Sequence, residues 1–125
     1  MNDHINELWN SISAVLCHHN QPGDAAIDTL NRLIRKVPQL SGRTDLPTLT
    51  EDTIGVKEEF WRMERLRALL TDKHITALQP SNTQLPIIVI RWQNTDYLID
   101  GRRRINYWSR IDAAGPRTVL VVVVS

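Results

Sequence analysis

The run Asp100-Gly101-Arg102-Arg103-Arg104 gathers three guanidinium groups, a carboxylate and a glycine where a strand-like stretch gives way to a helical one. The first turn of a helix exposes N–H groups without intrahelical partners and carries a partial positive charge. Acidic residues are favoured there, whereas each cation is unfavourable by about 0.3–1 kcal/mol. Three arginines in that turn, offset by Asp100 alone as the cap, break a local rule without an evident structural gain, which is where function is most often found. A bound anion removes the conflict, because backbone N–H groups and guanidinium forks then converge on the same phosphate or carboxylate oxygens. Helical spacing sorts the three. Arg104, Trp108 and Ile111 fall on one stripe, so Arg104 is expected to lean along the buried face and stack on the Trp108 ring. Arg103 shares a neighbouring face with Tyr107, and Arg102 points to solvent or ligand. The alternative is three solvated arginines beside an ordinary aspartate cap.

Other candidates are weaker. If Phe60 belongs to the core of a helix, Trp61 turns about 100° away and stands exposed beside Arg62, a candidate partner surface. Glu58, Glu59 and Glu64, interleaved with Lys57, Arg62 and Arg65, read as a solvated, ion-paired helix face. Cys17-His18-His19 suggests a metal, but consecutive helical residues diverge too far to share one ion, so no metal site is expected. His4 and His74 are solitary, and Ser13 and Ser109 lack a nucleophile-elbow context.

Positioning these groups requires the following elements. Ile5, Leu8, Trp9, Ile12, Val15 and Leu16 form one amphipathic stripe, broken by Asn20-Gln21-Pro22-Gly23. A second helix follows from an Asp24 cap, with Ile27, Leu30, Ile34 and Val37 on its apolar face, and ends at Pro38. Together they predict an antiparallel helical hairpin. Residues 38–53 read as a loop, with an edge strand around Leu46–Leu49 as an option. Val56, Phe60, Met63, Leu66 and Leu70 predict a helix over 54–71. The β-branched stretch Leu85–Trp92, the turn Gln93-Asn94-Thr95 and the strand Asp96–Ile99 predict a hairpin. A helix over 101–113 ends at Gly115-Pro116, and the Val-rich run 118–124, without alternation, predicts an interior strand covered on both faces.

A chain of 125 residues with 42% hydrophobic and 23% charged composition is one ordinary folded domain. The net charge of +1 conceals an excess of +4 in residues 101–125, which points to one anion-facing site over a broadly basic surface. One cysteine rules out an internal disulfide. The longest apolar run, Val119–Val124, is far too short to span a membrane, and no leader-like segment follows Met1, so a cytoplasmic protein with no membrane partner is expected.

The stretch Gln84-Leu85-Pro86-Ile87-Ile88-Val89-Ile90, followed by Asp96-Tyr97-Leu98-Ile99-Asp100-Gly101-Arg102-Arg103-Arg104, resembles the core of the ParB/sulfiredoxin superfamily. In that family a "QPI-hydrophobic" strand, a hairpin, an aliphatic-Asp-Gly-x-x-Arg turn, a helix and a hydrophobic strand follow in this order. The resemblance covers about 55–124, with the helix Phe60–Leu70 standing before the hairpin. Residues 1–45, a helical N-terminal extension, have no counterpart, and the family's first strand is not visible. With the N-terminal helices added to that core, the expected fold is α+β in a single domain: a helical hairpin packed on a small mixed sheet with two further helices. The resemblance implies that Gly101 and Arg104 contact nucleotide phosphates, with Arg103 as a second basic position, and that a nucleoside triphosphate with Mg2+ is the candidate ligand. Where partition proteins carry a Glu after the Gly and sulfiredoxins their nucleophilic Cys, this chain has Arg102, so hydrolysis is doubtful and a sulfiredoxin reaction is excluded.

Three function classes follow. The first is a nucleotide- or nucleic-acid-phosphate-binding module using Asp100, Gly101, Arg102, Arg103 and Arg104. The second is a small immunity or antitoxin-type protein that neutralises a protein toxin on a catalytically depleted scaffold. The third is a nuclease with a metal on Asp100, which a single acidic ligand makes the weakest.

Overall fold

The computed structural model describes residues 3–16, 26–50, 52–70, 85–111 and 115–124. The elements are α1 (Asp3–Leu16), α2 (Ala26–Ile34), β1 (Ile54–Trp61), α3 (Met63–Arg67), β2 (Ile87–Trp92), β3 (Thr95–Asp100), α4 (Arg102–Arg110) and β4 (Arg117–Val124). They form an α+β arrangement around one four-stranded mixed sheet of order β1-β4-β2-β3. β4 runs antiparallel to β1 and parallel to β2, while β2 and β3 form an antiparallel hairpin. The hairpin turn is Gln93-Asn94, both at positive φ (52° and 63°), the two-residue geometry whose twist suits flanking strands.

The apolar run of β4 explains the architecture. Val119 and Val121 face one core with Trp61, Ile87, Val89, Leu66, Ile105 and Trp108, under α3 and α4. Leu120, Val122 and Val124 face the other, with Ile88, Ile90 and Trp92, under α1, α2 and the loop residues Leu40 and Leu49. A strand covered on both faces has no reason to alternate, and the expected interior strand is observed. The loop is held to α2 by Asn31, whose Oδ1 accepts from the Leu49 N–H (2.8 Å) and whose Nδ2 donates to the Leu49 carbonyl (3.0 Å). Among the described residues, no helix is long and apolar enough to cross a membrane.

The expected helix over 54–71 is not formed as such. Residues 54–61 are β1, and only Met63–Arg67 is helical. Helical spacing of Val56, Phe60 and Met63 was a local signal. The unpaired edge of β4 is a stronger one, and β1 satisfies it with eight consecutive register pairs from Ile54↔Val124 to Trp61↔Arg117. No strand forms at Leu46–Leu49. Asp24, Cys17, His18, His19 and His74 lie outside the described residues.

Candidate functional site

The strand-to-helix turn is built on Gly101, the N-cap of α4, at φ 117° and ψ 9°. This left-handed conformation is one that a side chain adopts only under strain. A Cβ there would lie inside contact distance of Ile87 Cδ1 and 3.2 Å from Arg104 Nη2. Gly101 also begins the helix by accepting the Ile105 N–H on its carbonyl (2.9 Å) and supplies no side-chain cap.

The three arginines part company. Arg104 is buried, and its Nη2 donates to Asp100 Oδ2 (2.9 Å) and to the Pro86 carbonyl (3.0 Å). Its Nε is buried and has no partner among the described residues. Arg102 and Arg103 are exposed. Two expectations are corrected here. Asp100, expected as the cap of the helix, is buried and holds the Arg104 guanidinium, and the N-cap position of α4 falls on Gly101. The Trp108 ring is stacked by Arg117 (4.7 Å to the ring centre), because Arg104 is held by Asp100 and Pro86. Ser109 accepts a hydrogen bond from Arg67 Nε (3.2 Å), joining α3 to α4.

The Trp61–Arg62 surface is also revised. Strand geometry sends neighbours to opposite faces, so Trp61 is buried at 2% exposure while Phe60 is 63% exposed. Trp61 Nε1 donates to Glu59 Oε1 (2.8 Å), and Arg65 stacks on its ring at 3.8 Å. Arg62 is exposed, immediately before α3.

An ion-pair network on the same face of the sheet as Trp61 escaped the sequence reading. Arg91 on β2 donates Nη1 and Nη2 to the two Glu59 oxygens (2.8 and 3.1 Å), and Nε and Nη2 to the two Asp96 oxygens (2.7 and 3.2 Å). Lys57 lies 3.2 Å from Glu59, and Arg65 lies 3.3 Å from Asp96. The Arg91 hydrogen bonds hold the Glu59 carboxyl well below the ordinary carboxylate range, and those from both carboxylates push Arg91 further up. Period-two spacing over 54–61 places Lys57, Glu59 and Trp61 together, whereas helical spacing keeps Lys57 near Trp61 and sends Glu59 to the opposite side.

A depressed Glu59 value contributes stability that is present above the unfolded carboxyl pKa and lost as pH falls toward the folded one. Glu59→Gln is expected to destabilise by about 1–2 kcal/mol at pH 7. The gap to wild type should close by about 1.4 kcal/mol per pH unit below about pH 4. Urea titrations at pH 7, 4 and 3 measure it; a pH-independent gap would contradict the assignment.

Among the described residues, no three His, Cys, Asp or Glu side chains gather in a metal-binding group. Comparison with protein families, curated proteins and solved structures finds nothing that matches this chain.

Proposed function

We propose that the turn Asp100–Arg104 is the anion-binding site of a ParB/sulfiredoxin-like module that takes the phosphate of a nucleotide or nucleic acid. The observation that carries this reading is the buried Arg104 guanidinium, which keeps one Nε–H without an acceptor beside the glycine-capped N-terminus of α4. A buried donor without a partner is costly, and an anion oxygen would satisfy it. The exposed Arg102 and Arg103 add charge on the first turn of α4. Support for the family comes from the succession of β1, α3, the β2–β3 hairpin, α4 and β4 over 54–124. The residues fit an anion better than a hydrated Mg2+. Asp100, the carboxylate of the turn, is held by Arg104, and Arg102 stands where a partition protein has its Glu.

Because Arg104 is part of the fold, the test belongs on its exposed neighbours. CTP, ATP, inorganic phosphate and a short DNA duplex are each added in a thermal-shift titration. A ligand at 100 times its Kd should stabilise by about 2.7 kcal/mol. Arg102→Ala/Arg103→Ala, measured against its own ligand-free Tm, should lose most of the shift. An equal shift in the double variant, or none with any of the four in wild type, would refute the reading.

A second reading, the toxin-neutralising protein, is favoured by the internal use of Arg104: a guanidinium bound to Asp100 and Pro86 serves the scaffold first. It calls for a tight protein complex that survives Arg102→Ala/Arg103→Ala and no stabilisation by nucleotides.

A further inference from the structure

We propose that β1 is a self-pairing edge, through which two copies of this chain join their sheets into one antiparallel eight-stranded sheet. Among the described residues the sheet has two outer strands, β1 and β3. β3 is short, at six residues, and its pairing with β2 shifts register between Ile88 and Val89. A short, bulged strand is a poor template for another chain. β1 is eight residues long, free of proline, and paired with β4 without any register shift. Gly55, Lys57, Glu58 and Phe60 are exposed along it, and a Cβ at Gly55 would meet nothing within 4 Å.

Charge usually protects such an edge, but the order Lys57-Glu58-Glu59 is self-complementary, so that Lys57, 3.2 Å from Glu59 of its own chain, would be shared with Glu59 of the second copy. Antiparallel pairing about a twofold axis normal to the sheet keeps each residue on its own face, so only even shifts of register are allowed. One of them places Glu58 on the axis. Lys57 then lies opposite Glu59 of the second copy, twice, and the exposed Phe60 lies opposite Val56 of the second copy, twice. Moving the register by one allowed step sets Lys57 against Lys57 or Glu59 against Glu59. Opposite charges and aromatic–β-branched pairs stabilise cross-strand neighbours, whereas like charges oppose. The favoured register carries a single like-charge pair, Glu58 with its own copy.

Sedimentation of the full chain between micromolar and several hundred micromolar should show a reversible dimer. Lys57→Glu should weaken it at least tenfold, and Glu58→Gln should tighten it severalfold. Register is read by cross-linking in a Cys17→Ser background. Directly opposed residues have Cα atoms about 4.5–5.5 Å apart, within disulfide reach, so Glu58→Cys should oxidise to a covalent dimer. Lys57→Cys should not, because each copy lies diagonally from its equivalent, about 7–8 Å away. A wild-type monomer throughout that range overturns the proposal, as does a dimer indifferent to Lys57→Glu or one that cross-links equally well at both positions. Circular dichroism of each variant separates loss of pairing from loss of fold.

Discussion

Arg104→Ala is expected to lower the unfolding free energy by about 3–5 kcal/mol, the usual result of removing one partner from a buried ion pair. The side chains of Arg104 and Asp100 are only 10% and 9% exposed, and their contact is 2.9 Å. Truncating the arginine leaves the Asp100 carboxylate and the Pro86 carbonyl without that donor in a site with little water. A loss of this size is a large part of the stability of any small domain. Asp100→Ala should cost a similar amount. The double variant should cost clearly less than the sum, since the second removal takes away the charge that the first stranded. Urea unfolding with an unchanged m-value measures all three. A loss below about 1 kcal/mol for Arg104→Ala would place the pair among weak surface contacts and would return Arg104 to the role of a dedicated ligand group.

Gly101→Ala is the second large effect, at about 2–5 kcal/mol, from backbone strain and overpacking combined. Three glycines separate these contributions. Gly101 has φ 117° and would press a methyl group into Ile87 Cδ1; Ile87 is wholly buried and has nowhere to move. Gly115 has φ 89° but open space around a Cβ, so Gly115→Ala should show only the strain, about 1 kcal/mol. Gly55 has ordinary φ and open space, and Gly55→Ala should be close to neutral. Ile87→Val removes the opposing Cδ1. Alone it should cost about 0.5–1.5 kcal/mol, but combined with Gly101→Ala it should cost nothing further or restore some stability. If Gly101→Ala proves no worse than Gly115→Ala, the close approach of strand and helix at this turn is not as described.

The proposed anion site and the Asp100–Arg104 ion pair would share one guanidinium, so a variant at Arg104 changes both at once. Weakened binding in Arg104→Ala would follow from a disturbed turn as readily as from a lost contact. Arg102 and Arg103, exposed on the first turn of α4, carry the cleaner test.

The β2–β3 hairpin, α4 and the interior place of β4 are legible in local sequence. β-branched runs broken by Gln93-Asn94, a Gly-Pro stop, and six aliphatic residues in succession each have few structural solutions. The sequence also singled out the Asp100–Arg104 turn, because cations at a helix N-terminus conflict with a local rule that holds without tertiary context. Tertiary structure decided the rest. Residues 54–61 carry an apolar spacing that satisfies a helix, and only the need of β4 for a hydrogen-bonded neighbour extends them into β1. That one change reverses Phe60 and Trp61, turns Glu59 from a solvated helix face into the partner of Arg91, and makes β1 an outer strand among the described residues. Spacing along α4 placed Arg104 toward the core, but whether its guanidinium would meet a ring, a ligand or Asp100 depended on where β2 lies. Local pattern fixes which face a residue takes on a given element; the partner it finds there is set by strands distant in the chain.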